Sequence, residues 1–235
     1  MIDGPVLVAE ALAAGLDVWE VLVEADAAHD LVAAARSAGI PVHTVAHEVL
    51  AKAVDTTTPQ PIVAVAARPE VDLQVALAAA ASGPLVLVLV DVADPGNAGT
   101  LLRAAEASGA AAVLFCEGSV DPCNPKCVRA SAGALFHLPV SVGGDAVAVL
   151  EALSEVGVQR AATVVRGGVP YDQLDLTGPV ALVLGSEAHG LPAALDALVD
   201  LRCTIPMVGR SESLNVAMAG SVLCFEALRQ RGASR

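Results

Sequence analysis

The 235-residue chain has almost no aromatic residues, although 55% of its residues are apolar; one Trp, one Tyr and three Phe make up 2% of the sequence. Its core must therefore be built from small aliphatic side chains, and the length suffices for one large domain or two small ones. No apolar run approaches the roughly 18 residues of a transmembrane helix, the longest being residues 84–90. The N-terminus also lacks a basic segment followed by an apolar block, so we expect neither a signal peptide nor membrane association.

Positive charge is scarce as well, since 13 Lys and Arg oppose 26 Asp and Glu and the formal net charge is −13. This balance argues against binding of nucleic acid through a uniformly basic surface. The deficit is steepest in residues 1–70, which hold ten acidic and three basic residues, whereas residues 71–235 hold sixteen and ten. Such a distribution leaves room for an acidic exterior with a locally basic cleft.

The five cysteines are an odd number and lie in apolar or turn contexts, which predicts reduced thiols and a cytoplasmic protein. Cys123 and Cys127 flank a turn but have no His or Cys nearby with which to complete four zinc ligands. We therefore expect structural thiols and no metal site.

Apolar runs and turn residues divide the chain into two α/β segments. Alternating helices and strands over residues 1–68 predict a small domain, and residues 69–83 are interpreted as a linker with a helical turn or two. Repeated strand–loop–helix units predict a second domain with a parallel sheet over residues 84–235 and a last strand at residues 203–207. A ligand crevice is expected at the carboxyl ends of these strands.

Three polar, glycine-containing loops follow predicted strands: D-P-G-N-A-G-T-L-L-R (94–103), L-G-S-E-A-H-G-L-P (184–192) and I-P-M-V-G-R-S-E-S-L-N-V (205–216). The first has neither the G-x-G-x-x-G spacing of a dinucleotide site nor the Lys-Ser/Thr of a P-loop, which disfavours binding of NAD or ATP phosphates. The second is not G-x-S-x-G, so Ser186 is a poor candidate for a hydrolase nucleophile.

In this order and spacing, the three loops resemble the motifs of the SpoU (TrmH-type) class of RNA ribose 2′-O-methyltransferases in the SPOUT superfamily. Asn97 with Arg103 matches the first motif, L-G-S-E-x-x-G the second, and I-P-M followed by S-L-N-V the third. The resemblance covers residues 84–231. Residues 4–67 resemble the small, ribosomal-protein-like α/β substrate-binding domain of that family, through D-G-P before a helix and T-T-P-Q before a strand.

The resemblance implies a trefoil knot in the C-terminal domain, S-adenosylmethionine bound in that knot, and a homodimer whose subunits complete the sites. It implies an RNA substrate, with ribosomal RNA ahead of transfer RNA. The residues expected to contact the methyl donor are Gly185, Ile205 and Leu214. Those expected to line the reaction site are Asn97, Arg103, Glu187, Ser213 and Asn215.

Each of these residue types also has an ordinary structural role. Asn97, Ser213 and Asn215 are typical helix caps, Arg103 alone would suit a solvated helix surface, and Glu187 would suit a helix N-terminus. Arg103 corresponds to the base proposed for the family, but a guanidinium stays protonated at neutral pH. Binding a phosphate or a developing oxyanion is an equally good role for it.

Two alternative functions remain compatible with the sequence. One is a non-catalytic binding protein of the same fold that associates with RNA or the ribosome, although the motif residues are intact. The other is a methyltransferase of this fold with a substrate other than RNA, which would suit the acidic composition.

Overall fold

The structure is a computed structural model that describes residues 1–54, 58–186 and 189–232. The chain forms two compact units, one from residues 1–69 with 132–137 and the other from residues 70–131 with the chain from 138 onward. None of the helices in these described ranges has the length and apolar character that crossing a membrane requires.

The first unit is built on a four-stranded sheet. Its elements are β1 (Ile2–Asp3), α1 (Pro5–Ala13), β2 (Val18–Glu24), α2 (His29–Ser37), β3 (Val42–Val45), α3 (His47–Ala53) and β4 (Ile62–Ala66). The strand order is β1-β4-β2-β3, with β4 antiparallel to both neighbours and β3 parallel to β2. The alternation of helix and strand predicted from the sequence is confirmed, except that the two-residue β1 is too short to show a periodic pattern.

The second unit is built on a seven-stranded sheet in which every pairing is parallel. Its strands are β5 (Leu85–Leu89), β6 (Ala112–Phe115), β7 (Val140–Val142), β8 (Gln159–Thr163), β9 (Val169–Pro170), β10 (Val180–Leu184) and β11 (Leu201–Thr204). Its helices are α4 (Leu73–Ser82), α5 (Pro95–Ala107), α6 (Pro125–Ser131), α7 (Ala146–Glu155) and α8 (Val216–Gly232). The strand order is β7-β6-β5-β10-β8-β11-β9, so the predicted parallel sheet is confirmed.

The segment interpreted from the sequence as a linker contains α4, a helix of ten residues. Its Ala76, Leu77 and Ala80 are buried and belong to the same apolar cluster as strands β5, β6 and β10 and helix α7. Three buried residues at helical spacing give this segment an apolar face that packs on the sheet. Residues 70–83 are therefore part of the second unit.

The last strand lies at Leu201–Thr204, so it begins two residues and ends three residues before the predicted position at 203–207. Its end is explained by Pro206, because proline has no backbone N–H to donate to a neighbouring strand. Residues 205–215 consequently form an irregular loop that leads into α8.

Two glycines allow the helices α5, α6 and α8 to pack closely. A Cβ added at Gly99 of α5 would lie 2.5 Å from the Cβ of Ala130 and 2.5 Å from the carbonyl oxygen of Cys127, both in α6. A Cβ added at Gly220 of α8 would meet the side chains of Leu101 and Leu184. These positions fix the helices that carry the candidate site against one another and against β10.

We expect Gly99→Ala to lower the free energy of unfolding by about 1–3 kcal/mol, because the added methyl meets backbone that cannot move aside. The better helix propensity of alanine offsets about 1 kcal/mol of the strain at most. Urea unfolding followed by circular dichroism measures the difference. Gly178→Ala is the matched control, since a Cβ there meets no atom within 4 Å; equal stability of the two variants would contradict the packing argument.

Candidate active site

A pocket of about 430 Å³ opens in the second unit at the carboxyl ends of β8, β10 and β11. Its volume is in the range typical of small-molecule sites. The walls are formed by residues 163–165, 185–186, 189–190 and 212–214, by Cys203, Ile205 and Met207, and by the first turns of α8. The crevice predicted from the strand–loop pattern therefore exists.

The structure brings together all three residues expected at the methyl donor. Gly185, Ile205 and Leu214 line this one pocket, and so does Ser213 from the predicted reaction site. They come from the loops after β10 and β11, because these two strands flank β8 in the sheet and end at the same edge.

The loop after β10 folds back on itself at Gly185. The amide of Ser186 donates to the carbonyl of Gly190 at 3.1 Å, and the amide of Gly190 donates to the carbonyl of Ser186 at 2.8 Å. A Cβ at Gly185 would lie 2.5 Å from the carbonyl carbon of Gly190 and 2.7 Å from the amide nitrogen of Leu191. Only glycine fits here, and its lack of a side chain leaves backbone exposed to the pocket.

The wall formed by Cys203 is uncharged. Burial raises the pKa of its thiol to about 11, so the group stays protonated at neutral pH and is a poor nucleophile. The hydroxyl of Thr163, at the end of β8, donates to the carbonyl of Val183 at 3.2 Å. Ile205 and Leu214 add apolar surface, whereas Ser186, Glu212 and Ser213 add polar groups, so the pocket has walls of mixed polarity.

The five cysteines are all free, as the sequence predicts. Burial raises the pKa of Cys116, Cys127 and Cys224 to about 12, which makes these thiols inert. Cys123 donates from its sulfur to a carboxylate oxygen of Glu70 at 3.4 Å.

Asn97 and Asn215, which are 118 positions apart in the sequence, meet directly beside the pocket. The side-chain amide of Asn215 donates to the side-chain oxygen of Asn97 at 2.9 Å. Asn215 adjoins Leu214, which lines the pocket, and Asn97 lies in the first turn of α5. The first and third sequence motifs are thus joined by a side-chain hydrogen bond.

The N-cap of α5 is Asp94, and the interpretation of Asn97 as the cap is wrong. A carboxylate oxygen of Asp94 accepts from the amide of Asn97 at 2.8 Å, and this bond is the largest of the influences that lower the pKa of Asp94. Asn215 does cap a helix: its side-chain oxygen accepts from the amides of Ala217 and Met218 at 2.9 and 3.2 Å. The side chain of Asn97 therefore faces Asn215 and leaves its own helix end to Asp94.

Arg103 is exposed on α5 and has no hydrogen bond or ion pair with any residue in the described part of the chain. It follows Asn97 by six residues, which separates the two side chains by about 120° around the helix axis. Glu187, the remaining residue predicted for the reaction site, lies outside the described residues.

Sequence reasoning missed the contribution of β8 to the pocket. Thr163, Val164 and Val165 line it, and so does the carboxylate-bearing Glu212. The segment after β8, V-V-R-G-G (164–168), belongs to none of the three motifs, so only its position at the end of a parallel strand could have indicated it.

The fold and pocket define an α/β protein whose ligand site lies at the carboxyl edge of a parallel sheet. Residues 84–225 match the family model described as SpoU rRNA Methylase family, and residues 1–71 match RNA 2′-O ribose methyltransferase substrate binding. The chain therefore belongs to the SpoU rRNA methylase family.

Curated and solved relatives agree with this membership. The chain is 35% identical over 227 residues to the 23S rRNA (guanosine(2553)-2′-O)-methyltransferase RlmP of Bacillus subtilis, a match covering 96% of this chain and 86% of that protein. The crystal structure of the SpoU methyltransferase AviRb from Streptomyces viridochromogenes has a TM-score of 0.87 at 28% identity, covering 100% of this chain and 90% of that one. An AdoMet-bound rRNA methyltransferase from Sinorhizobium meliloti has a TM-score of 0.83 at 29% identity, covering 97% and 85%.

We expect Gly185→Ala to weaken binding of S-adenosylmethionine, because the methyl would force Gly185 away from the backbone of Gly190 and Leu191. Overpacking of about 1–3 kcal/mol corresponds to about 5- to 150-fold weaker binding if the strain falls on the bound state. Isothermal titration calorimetry measures the affinity. The matched control is Gly209→Ala, where a Cβ meets nothing within 4 Å; unchanged affinity in Gly185→Ala would remove this loop from the donor site.

Proposed function

We propose that this chain transfers a methyl group from S-adenosylmethionine to a ribose 2′-hydroxyl of RNA, with ribosomal RNA as the first candidate substrate. The observation that carries the proposal is that the second and third motif loops line one pocket, while the Asn97–Asn215 hydrogen bond joins the first motif to the third beside it. RlmP of Bacillus subtilis is named for guanosine 2553 of 23S rRNA, which makes 23S rRNA the substrate to test first.

The pocket residues fit the methyl donor. Gly185 exposes backbone where a side chain would not fit, and Ile205 and Leu214 supply apolar surface for the adenosine portion. When bound, S-adenosylmethionine supplies a methyl group on a sulfonium that is open to in-line displacement. These three residues then fix the orientation of the donor relative to the acceptor hydroxyl, which lowers the barrier to methyl transfer.

Asn97, Asn215 and Ser213 are proposed to hold the acceptor ribose. Their amide and hydroxyl groups can both donate and accept hydrogen bonds, as binding a hydroxyl group requires. The hydrogen bond from Asn215 to Asn97 holds both side chains in place before the substrate arrives. Glu187 is proposed at the same site on the family motif alone.

Arg103 is proposed to act on the negative charge of the substrate. An exposed guanidinium without a partner in the described part of the chain is available for a phosphate or for the oxyanion that develops at the 2′-oxygen. The alternative, that it removes the hydroxyl proton, requires a neutral guanidine at neutral pH. We favour the electrostatic role.

We propose that the protein is a cytoplasmic homodimer with a trefoil-knotted catalytic domain. Helix α8 supports pairing, because Met218, Val222, Phe225 and Leu228 are 37–60% exposed on it. At this spacing, Met218, Val222 and Phe225 share one side of the helix, opposite a second apolar side that is buried in the chain itself. An apolar strip of this kind is suited to burial against a second copy.

We propose that the two domains have different roles. Residues 1–68 would hold the RNA, consistent with their match to a substrate-binding family, and residues 84–235 would carry the donor and the chemistry. The acidic first domain would then bind through specific polar contacts more than through net charge.

The first test is the transfer of tritium from labelled S-adenosylmethionine to 23S rRNA transcribed in vitro. We expect Asn215→Asp to abolish transfer while leaving stability and donor affinity close to wild type. Aspartate caps a helix as well as asparagine does, but it cannot donate to the oxygen of Asn97. Transfer to RNA by the wild type rules out the non-catalytic alternative, and donor binding without transfer to any RNA would favour the alternative with another substrate.

A second prediction concerns Arg103 and the pairing of subunits. We expect Arg103→Ala to bind S-adenosylmethionine normally and to lose methyl transfer. If each site takes Arg103 from one subunit and Asn215 from the other, mixing Arg103→Ala with Asn215→Asp chains regenerates one of the two sites in each mixed dimer. Because about half of the dimers in an equal mixture are mixed, we expect about a quarter of wild-type activity. Mixed samples with no recovery would show that both residues act within one chain.

A further inference from the structure

Ribose 2′-hydroxyls in RNA are always close to a phosphodiester, because the 3′-oxygen on the neighbouring carbon carries the phosphate. An acceptor ribose held by Asn97 and Asn215 therefore brings a negative charge to the first turn of α5. This step rests on the proposed function. In a chain of net charge −13, the cation that meets this phosphate must be supplied locally.

Lys126 of α6 is positioned to supply it. Its ammonium lies 3.4 Å from one carboxylate oxygen of Asp94, and the other oxygen of the same carboxylate accepts from the amide of Asn97. One carboxyl group thus separates Lys126 from Asn97. A Cβ built at Gly96, in the same turn, would lie 3.7 Å from the terminal methylene of Lys126.

The pair with Asp94 does not commit Lys126 to that carboxylate. The contact is long, and the side chains of Lys126 and Asp94 are 61% and 48% exposed. Ion pairs of this kind in water contribute little, so the ammonium can move to a stronger anionic partner at small cost.

Arg129 extends the positive charge along the same helix. It follows Lys126 by three residues and is exposed on the same side of α6, while Cys127 is buried. The close approach of Gly99 to Ala130 fixes α6 against α5, so this basic side keeps a constant position relative to Asn97.

We propose that Lys126 binds the phosphodiester adjacent to the methylated ribose and that Arg129 contacts the next phosphate along the strand. The exposed side of α6 is then a phosphate-binding surface beside the reaction site. It supplies local positive charge in a chain whose net charge is negative.

The experiment is filter binding of the full-length protein to 23S rRNA transcribed in vitro, over a series of KCl concentrations, together with methyl-transfer kinetics. We expect Lys126→Ala to weaken binding about three- to tenfold near 0.1 M salt and to reduce the salt slope by about 0.7–0.9, the loss of one phosphate contact. KM for RNA should rise by the same factor, while kcat and the affinity for S-adenosylmethionine stay unchanged. Arg129→Ala should show the same pattern.

Two variants control for charge and fold. Lys126→Arg keeps the cation and should restore most of the affinity. Arg202→Ala removes a cation of β11 that is 48% exposed and pairs with Asp196, and it should leave RNA binding unchanged.

A double variant distinguishes binding of an RNA phosphate by Lys126 from neutralisation of the Asp94 carboxylate by Lys126. If Lys126 only neutralises that carboxylate, the double variant Asp94→Asn with Lys126→Ala should bind RNA as tightly as Asp94→Asn alone, which would overturn the inference. We expect the double variant to remain weaker, and asparagine preserves the cap of α5 in both.

The outcomes also separate this inference from the proposed function. If the wild type methylates the transcript and Lys126→Ala has an unchanged KM and salt slope, the inference is wrong and the proposed function stands. If the wild type binds the donor but neither binds nor methylates the transcript, both are wrong.

Discussion

The pairing of β10 with β5 on one side and β8 on the other is the constraint on which the candidate site depends. Leu182 of β10 lies opposite Leu87 of β5 and Ala161 of β8, so strands distant in sequence run in register. All residues of β5 and β10 are buried, and their backbone groups are satisfied by neighbouring strands. Since the pairing is parallel, the loops that follow these strands emerge at one edge, where polar side chains are tolerated.

Small residues allow the helices beside this edge of the sheet to pack closely. Gly220 brings α8 onto Leu101 and Leu184, and Gly99 brings α6 onto α5. Ala217 and Gly220 of α8 are buried within the chain's own core. The opposite side of α8 exposes larger apolar groups, among them Met218 and Phe225. Close packing within the chain and the proposed pairing of subunits therefore use opposite sides of the same helix.

Much of the architecture could be predicted from the sequence, because buried parallel strands are continuous apolar runs and helices carry a periodic face. The positions of β5 and β10 follow from such runs, bounded by glycine and proline. Tertiary contacts decided the rest. The full length of helix α4 could not be predicted, because its segment is alanine-rich and polar at its start. Its burial depends on contacts with a sheet formed by other parts of the chain.

Pocket residues that belong to a sequence motif could be predicted, whereas those that line the pocket only because a strand ends there could not. Gly185, Ile205 and Leu214 could be named from the three loops together, whereas Thr163 and Val165 line the pocket solely because β8 ends there. The hydrogen bond between Asn97 and Asn215 spans 118 positions, so no local pattern could reveal it. Local rules of capping also misjudged Asn97, since Asp94, three residues earlier, takes the cap.

Capping of α8 and the proposed binding of substrate are not competing roles for Asn215. Its side-chain oxygen is held by the amides of Ala217 and Met218, which fixes the orientation of the amide group. The nitrogen must then point away from the helix, and there it donates to Asn97. An asparagine provides both an acceptor for the cap and a donor to Asn97, whereas serine or aspartate could supply the cap but not the directed NH₂ group. The helix end thus preorganises the hydrogen bond on which the proposed acceptor site is built.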